Sequence, residues 1–283
     1  MHDLNKGEFE IFNEYFFKNL SDVEMVITAF DQGKKVGVYR NTSLRISPQQ
    51  RKIWQWDQWE KVKRKGVQWL NFDVVSAGNV IAQEQVVVQF PMAFQATQMK
   101  VDHLSEQELS KDRLKLSLNE KGQIASITFD GKALLAQPLT FNFWRRTIDN
   151  DYGYQLDQHS KIWKDLQNNL VLTQQIQLEN GWRLSWHADG VCQIDQSIIL
   201  VGDQQIKIST QFLPLQKDLP LMPRFGLKTA INKDFSKVKY IGRGPYENYI
   251  DRNSGAFLGH YEQSVAEFYV PYVRPQEYGH RTV

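Results

Sequence analysis

Three segments in the second half of this 283-residue chain combine acidic, amide and basic side chains that could take part in chemistry. The first, residues 142–153, reads NFWRRTIDNDYG, and its run of short polar side chains before a glycine predicts a loop held by side-chain to backbone hydrogen bonds. In an extended segment Asp149 and Asp151 would face opposite sides, so we do not expect them to form a catalytic carboxylate pair. Two interpretations stay open, a capped turn and a ligand-facing loop.

The second segment, residues 240–252, reads YIGRGPYENYIDR. Gly242 and Gly244 allow the backbone to approach a neighbour closely or to take a positive φ, and Pro245 favours a turn. Charged groups this dense beside aromatic rings usually form ion pairs and hydrogen bonds. The segment therefore predicts a structural network in preference to a catalytic one.

The third segment, residues 268–281, reads FYVPYVRPQEYGHR. Its two prolines favour an extended chain. In that conformation Arg274 and Glu277 are available to pair with residues 240–252. We expect the second and third segments to form one network.

The elements that position these segments are predicted to be strands, because apolar and polar residues alternate with period two along most of the chain. Between residues 93 and 112 the sequence is polar and aperiodic, with at most a short helix over 106–111, which predicts a linker. The expected domains are therefore an immunoglobulin-like β-sandwich over 1–92, the linker over 93–112 and a larger antiparallel sandwich over 113–283. One helix is expected over 159–168. The predicted strands cover residues 8–17, 23–30, 35–39, 66–75, 80–90, 114–118, 124–129, 170–178, 182–188, 191–200 and 205–213.

Composition narrows the class of protein. The net charge is +2, which favours neither nucleic acid nor a membrane as a partner. No apolar leader precedes the first strand, and no apolar run is long enough to span a bilayer. Cys192 is the single cysteine and cannot form an internal disulfide. These features predict a cytoplasmic protein, with the periplasm as the alternative.

The three segments together resemble the C-terminal domains of glycoside hydrolase family 2 β-galactosidases. Residues 143–153 (FWRRTIDNDYG) are similar to that family's FWRAPTDNDxG, residues 241–252 (IGRGPYENYIDR) to GxGPxENYxDR, and residues 269–279 (YVPYVRPQEYG) to YxPYxxPQExG. Residues 10–22 (EIFNEYFFKNLSD) resemble the start of the domain that follows the catalytic barrel in the family. The resemblance covers nearly the whole chain. It implies an all-β fold, with an immunoglobulin-like sandwich followed by a galactose-mutarotase-like super-sandwich.

The resemblance also implies a division of labour. In the family both catalytic glutamates lie on a preceding (β/α)₈ barrel, a pattern that we do not find here, so no catalytic residue is expected on this chain. The implied function is to complete the mouth of an active site that hydrolyses terminal β-D-galactosides such as lactose, in partnership with a barrel-bearing chain. The substrate-mouth loop would comprise Asp149, Asn150, Asp151, Tyr152 and Gly153, with Gly153 as a hinge. The structural network would comprise Arg243, Gly244, Pro245, Glu247, Asn248, Tyr249, Asp251, Arg252, Tyr272, Arg274, Gln276 and Glu277.

Some positions depart from the family pattern. His280 stands where the family usually has Asn, and Arg146 follows Arg145 where Ala is usual. In the family the super-sandwich continues beyond the third segment and supplies an aromatic residue that stacks on the sugar. We therefore expect an incomplete second sandwich and a fragment of a longer enzyme. The family's Mg²⁺ and Na⁺ ligands lie mostly elsewhere, so no metal site is assigned to this chain.

Two other functions are compatible with the sequence. Trp54, Trp56 and Trp59 could stack on sugar rings in a stand-alone carbohydrate-binding module, although packing in a core is the competing explanation. A mutarotase-type epimerase would need a histidine acid and a glutamate base, for which His187 and Glu247 are the available pair. Nothing in their spacing supports that pair.

Overall fold

The computed structural model describes residues 3–42, 44–63, 68–88, 100–202, 205–273 and 277–282. The chain divides into two compact units. Unit 1 comprises Met1–Ala93, Lys237–Val270 and Tyr278–Val283, and unit 2 comprises Phe94–Ser236 and Pro271–Glu277. The domain ranges 1–92, 93–112 and 113–283 stay a prediction, and the later segment Lys237–Val270 groups with the first unit.

The N-terminal part of unit 1 contains six strands and one short helix, α1. Its main sheet is antiparallel with the order β3-β2-β5-β6, and β1 pairs with β4 in a second, two-stranded sheet. These elements are β1 (Glu8–Phe12), β2 (Val23–Asp31), β3 (Lys34–Asn41), β4 (Arg51–Gln55), α1 (Trp59–Lys63), β5 (Trp69–Ser76) and β6 (Asn79–Val87).

Alternation of side chains builds the core of unit 1. Along β2 every second residue from Val23 to Ala29 is buried, so one face of the sheet packs against the interior. The hairpin between β2 and β3 turns at Gln32 and Gly33, whose φ values of 47° and 75° are the left-handed pair that a two-residue turn requires. The buried cluster is Phe9, Leu20, Val23, Met25, Ile27, Ala29, Leu44, Ile46, Trp56, Trp59, Val62, Leu70 and Phe72.

Unit 2 contains two antiparallel sheets. One has the order β17-β12-β10-β9-β8-β7 with β11 beside β10, and the other has the order β13-β14-β15-β16. The strands are β7 (His103–Leu104), β8 (Glu108–Lys111), β9 (Leu114–Leu118), β10 (Ile124–Phe129), β11 (Lys132–Ala133), β12 (Leu135–Asn142), β13 (Val171–Leu178), β14 (Gly181–Ala188), β15 (Cys192–Val201), β16 (Gln205–Pro214) and β17 (Gly226–Ile231). Three helices lie between β12 and β13, namely α2 (Asp149–Tyr154), α3 (Leu156–His159) and α4 (Lys161–Asn169).

Both sheets of unit 2 contribute to one core. Leu116 and Phe141 of the first sheet belong to the same buried cluster as Trp182, Leu184 and Ile194 of the second. Helix α4 adds Trp163 and Leu166 to this cluster. The predicted all-β fold with two packed sheets is therefore confirmed, and so is the helix expected over 159–168.

The C-terminal part of unit 1 is a hairpin of β18 (Lys237–Gly244) and β19 (Phe257–Ser264), followed by a 3₁₀ helix over Val265–Phe268. The Gln85 side chain on β6 donates to the Leu258 carbonyl at 2.8 Å and accepts from the Leu258 amide at 2.7 Å. Two hydrogen bonds thus join parts of unit 1 that are 173 residues apart in the chain.

The structure differs from the sequence-based expectation in several places, three of them in the first 112 residues. The strand predicted over 8–17 ends at Phe12, because buried Asn13 begins a loop. The short helix over 106–111 is wrong, since Glu108–Lys111 is a strand. Of the predicted linker, residues 93–99 lie outside the described residues, and the part beyond them already contains β7 and β8.

No helix in the described part of the chain is both long and apolar enough to cross a membrane.

Candidate functional site

The segment predicted as the substrate-mouth loop is a helix. Residues Asp149–Tyr154 form α2, so the expected loop is wrong as a description of their backbone. The Asp151 carboxylate accepts the Ile148 amide at 2.8 Å, which satisfies a donor at the helix N-terminus that would otherwise lack a partner. Gln155 ends the helix in the left-handed region, with φ 58°.

Asp151 is buried and forms an ion pair with Arg145. Nη1 and Nη2 of Arg145 donate to Oδ2 and Oδ1 of Asp151 at 2.5 and 2.8 Å, a bidentate geometry. The hydrogen bonds from Arg145, opposed by burial and aided by the Ile148 amide, hold the pKa of Asp151 below its usual range. Asp151 is therefore an anion that fixes α2, and it is not suited to donate a proton as a general acid.

The other predicted loop residues lie on the outside of α2. Asp149, Asn150, Tyr152 and Gly153 are exposed. A Cβ atom on Gly153 would meet nothing within 4 Å. These four residues are thus exposed, while buried Asp151 anchors α2.

A second ion pair lies beside this helix in unit 2. Glu277 accepts from both terminal nitrogens of Arg224, one of them Nη1 at 3.1 Å, and its Oε1 also accepts the Arg146 amide at 3.0 Å. Burial would raise the pKa of Glu277, but the hydrogen bonds from Arg224 and from the Arg146 amide outweigh it and hold the pKa below its usual range. Glu277 consequently ties segment 271–277 to the residues that precede α2.

Both ion pairs border a cleft of ≈ 910 Å³ in unit 2. Tyr152 lies on its wall, and so does Trp144, whose ring has the Lys164 ammonium 5.6 Å from its centroid. Trp144 and Tyr152 are the aromatic rings of the cleft, and its lining is otherwise mostly polar and charged. Its charged lining residues are Arg145, Arg146, Asp157, Lys164, Arg224, Lys228 and Glu277.

Trp144, Lys164 and Arg224 were missed as site residues by sequence reasoning. Trp144 lies inside the first segment, five residues before Asp149, the first residue of the predicted loop. Arg224 follows the irregular stretch DLPLMP, and Lys164 lies on α4, so neither has a periodic or motif signal. Only the tertiary fold brings them to the cleft.

A network of hydrogen bonds joins the turn after β18 to residues 279–282 in unit 1, and Asn248 lies at its centre. Its buried side chain donates to the carbonyls of Arg243 and Tyr246 at 3.1 and 2.9 Å. Its Oδ1 accepts from the amide and the hydroxyl of Thr282 at 2.9 and 2.6 Å. All the hydrogen-bonding capacity of the carboxamide is therefore used to close the turn after β18 onto residues 280–282.

Glu247 and Arg243 extend this network. Glu247 pairs with Arg252 at 3.0 Å and accepts the Gly279 amide at 2.8 Å. Arg243 donates its amide to the Thr282 carbonyl at 2.9 Å and its Nη1 to the Ala256 carbonyl at 3.0 Å. These contacts hold the turn after β18 against residues 252, 256, 279 and 282.

His280, the departure from the family pattern, has a defined place in the network. Its ring stacks on Tyr249 with centroids 4.3 Å apart and an interplanar angle of 9°. Nδ1 of His280 lies 2.6 Å from the Asn248 carbonyl oxygen. Arg252 lies 5.3 Å from the centroid of the Tyr249 ring, on which His280 stacks. An asparagine could not provide the stacked ring, so His280 fits its surroundings here.

The remaining network residues occupy different positions. Gly244 ends β18 at a position where a Cβ atom would come too close to the Tyr240 hydroxyl and would lie 3.0 Å from the Tyr261 ring. The glycine is therefore needed for this close approach and not for a positive φ. The Pro245 carbonyl accepts Nη2 of Arg281 at 2.7 Å. Asp251 is exposed and Tyr272 is half-buried. Arg274 and Gln276 lie outside the described residues.

The third segment does contact the second, but through residues 279–282 and not through Glu277, which we expected to form the pair. Residues 279–282 contact the turn around Asn248, whereas Glu277 pairs with Arg224 in unit 2. The sequence could not distinguish these partners, because Arg224 belongs to neither segment.

The features behind the two alternative functions have structural explanations. Trp56 and Trp59 are buried in the core of unit 1, and the partly buried Trp54 packs against it, so core packing explains this cluster. His187 lies on β14 with Nε2 3.1 Å from Asp189 Oδ1, whereas Glu247 pairs with Arg252 in unit 1. Among the described residues there is no group of three or more His, Cys, Asp or Glu side chains that could hold a metal ion.

Comparison with known proteins shows which family this chain matches. A family model described as the β-galactosidase small chain matches residues 110–283. A β-galactosidase of Priestia megaterium is 26% identical over 312 residues, which cover 99% of this chain and 29% of that protein. A β-galactosidase of Pseudoalteromonas haloplanktis is 26% identical over 96% of this chain and 30% of its own length. One from Actinobacillus pleuropneumoniae is 30% identical over 56% of this chain and 16% of its own length.

The chain therefore spans less than a third of the length of these curated relatives.

Proposed function

Since the chain belongs to the β-galactosidase small-chain family, we propose that it forms the non-catalytic part of a β-galactosidase. In this proposal a barrel-bearing polypeptide supplies both catalytic carboxylates, and unit 2 completes the mouth of the active site. The substrates are terminal β-D-galactosides such as lactose. The relatives are longer than this chain and are β-galactosidases, which supports a role as one portion of a larger enzyme.

The observation that carries the proposal is the position of α2 on the cleft. Asp151 and Arg145 hold the helix from behind, while Tyr152 on its outer side lines the ≈ 910 Å³ space together with Trp144. Preorganised aromatic and polar groups of this kind orient a sugar without taking part in bond cleavage. The low pKa of Asp151 agrees with a supporting role, because a general acid needs a raised one.

The test is hydrolysis of a chromogenic β-galactoside. The purified chain is assayed alone and after mixing with the part of the Priestia megaterium enzyme that lies outside the aligned region, in a preparation that circular dichroism shows to be folded. We expect activity only in the mixture. Activity of the chain alone would contradict the proposal that another polypeptide supplies the catalytic carboxylates. If mixing produced no gain in activity, the accessory role would be wrong.

A matched pair of substitutions tests the cleft itself. Tyr152 and Tyr154 lie on the same helix with similar exposure, 60% and 58%, but only Tyr152 lines the cleft. We expect Tyr152→Ala to raise the KM of the mixture several-fold and Tyr154→Ala to leave it unchanged. Equal effects of the two substitutions would argue against the cleft as the substrate mouth.

The cofactor and the compartment belong to the same proposal. Mg²⁺ and Na⁺ would be held by the barrel-bearing partner, and we assign neither ion to this chain. We place the assembly in the cytoplasm, because the single cysteine cannot form an internal disulfide.

A further inference from the structure

An exposed aromatic loop joins β1 to β2 in unit 1. We call residues 13–18 the aromatic loop; its sequence is NEYFFK. Phe16 and Phe17 are 73% and 99% exposed, and Tyr15 is also exposed. The rings of Phe16 and Phe17 are adjacent, with centroids 6.3 Å apart. Adjacent large apolar side chains held in water usually mark a surface that another molecule covers.

The loop is built to hold these rings in place. Buried Asn13 donates through Nδ2 to the carbonyls of Lys18 and Ile46, both at 2.9 Å, and its Oδ1 accepts the Tyr15 amide at 3.1 Å. One carboxamide thus closes the loop on itself and fastens it to the neighbouring segment. A loop that is already ordered loses little conformational entropy when it binds.

Residues 49 and 50 fix the loop a second time. The Gln49 amide donates to the carbonyls of Asn13 and Tyr15 at 2.9 and 3.2 Å, and the Gln50 carbonyl accepts the Asn13 amide at 3.0 Å. The Gln49 side chain donates to the Glu14 carbonyl at 2.9 Å. These bonds use the backbone of the loop and leave the two phenylalanine rings outward, with Lys18 and Asp22 paired beside them at 2.8 Å.

Protein–protein interfaces commonly have this anatomy, with aromatic anchors surrounded by charged groups. The lengths of the relatives indicate which polypeptide could cover the aromatic loop. The alignment with the Priestia megaterium enzyme covers 99% of this chain, so it includes the aromatic loop, yet it covers only 29% of that enzyme. More than two thirds of the relative is additional polypeptide, which is available to cover the counterpart of this loop.

We propose that the aromatic loop is a docking site for the barrel-bearing polypeptide of a β-galactosidase, with Phe16 and Phe17 entering an apolar pocket on it. This inference rests on the proposed function and adds the surface through which the partner is held. The loop belongs to unit 1, whereas the cleft belongs to unit 2.

The test compares Phe17→Ser and the double variant Phe16→Ser/Phe17→Ser with Leu221→Ser. Leu221 is 82% exposed in unit 2 and does not line the cleft, which makes it the matched control. All three variants should keep the wild-type melting temperature, because the replaced side chains are mostly in water. The probe is the same polypeptide of the Priestia megaterium enzyme, used only after circular dichroism shows it to be folded, and the dissociation constant is measured by biolayer interferometry.

We expect Phe17→Ser to weaken binding 10-fold or more, the double variant to weaken it further, and Leu221→Ser to leave it unchanged. Equal binding by the wild type and the phenylalanine variants would overturn the docking role while leaving the proposed function intact. Absence of binding by the wild type would overturn both. Self-association of the wild type that Phe17→Ser abolishes would also overturn it, since the loop would then bind a second copy.

Discussion

Asp151 and its surroundings explain why one carboxylate in an acidic motif is structural while its neighbours face water. Arg145 and the Ile148 amide stabilise the anion, and burial keeps water from competing with them. The side chain is thereby committed to holding α2. Asp149 and Asn150, two and one positions earlier, are exposed.

The first prediction concerns the pH dependence of stability. The folded pKa of Asp151 lies below its ordinary value of 3.8, so the carboxylate stabilises the fold above that value. This contribution is lost as the pH falls through the lowered folded pKa. We expect Asp151→Asn to lower the free energy of unfolding by about 1–3 kcal/mol at pH 7 and by progressively less below about pH 4.

Urea denaturation across this pH range measures the difference, with Asp218→Asn, at an exposed position of unit 2, as the control. A deficit for Asp151→Asn that stays constant into acid would contradict the assigned role of the carboxylate.

The second prediction concerns Gly153. Alanine fits at this helical position without a contact, and it is a better helix former than glycine by up to about 1 kcal/mol. We expect Gly153→Ala to raise the melting temperature slightly but to lower the turnover of the complemented enzyme, because a stiffer α2 opens less readily. Gly255→Ala, also free of contacts, is the control for both measurements. If Gly153→Ala had the turnover and the melting curve of the wild type, the hinge role of Gly153 would be contradicted.

At the scale of elements, one ion pair links segments that are far apart in the chain. Arg224 precedes β17, and Glu277 belongs to the short segment 271–277 that returns to unit 2. The Arg146 amide, close to the start of α2, shares the same carboxylate. A single acidic residue therefore fixes the relative position of the strand, the segment and the helix.

The third prediction is a double-mutant cycle on this pair. We expect Arg224→Gln and Glu277→Gln to be non-additive, with a coupling of about 1 kcal/mol, because both partners are only partly exposed. The Lys239–Glu262 pair on the β18–β19 hairpin is more exposed and should couple by less than about 0.5 kcal/mol. Both couplings come from chemical denaturation, and equal values for the two pairs would be the opposing result.

At the scale of the whole molecule, each unit has its own hydrophobic core. In unit 2 the residues Trp182, Leu184, Cys192 and Ile194 have almost no exposed surface. Burial raises the pKa of the Cys192 thiol to about 11. The single cysteine therefore reports whether the core of unit 2 is closed.

The fourth prediction uses this thiol. We expect a disulfide reagent at pH 8 to label native Cys192 only as fast as unit 2 opens, since the buried thiol is both inaccessible and protonated. Leu184→Ala should destabilise unit 2 by about 2–5 kcal/mol and accelerate labelling accordingly. Ile27→Ala in the core of unit 1 is the control. Rapid labelling of the wild type would show that the core is not closed around the thiol.

Local patterns were sufficient to predict most strands. Those over 23–30, 114–118, 182–188 and 205–213 appear within a few residues of their predicted ends, because alternation reports directly which face is buried.

The features that sequence reasoning missed depend on contacts between distant residues. Helix α2 forms although it contains Gly153, because Arg145 and Asp151 stabilise its first turn. Strands β18 and β19 contain three glycines and lack clear alternation, yet they pair over eight registered positions from Lys237–Ser264 to Gly244–Phe257. Neither Arg224 nor the grouping of Lys237–Val270 with unit 1 has a local signature.

The hydrogen bonds between Gln85 and Leu258 also bear on the order of synthesis. Strand β6 leaves the ribosome early, but its partner residue follows only after 173 further residues, including nearly all of unit 2. Strand β6 is an edge of its sheet, and exposed edges can recruit other chains; until residue 258 is made, the Gln85 side chain on this edge lacks its Leu258 partner. The nascent protein thus passes through a stage in which unit 2 can fold while unit 1 waits, and chaperone demand and aggregation should be greatest there.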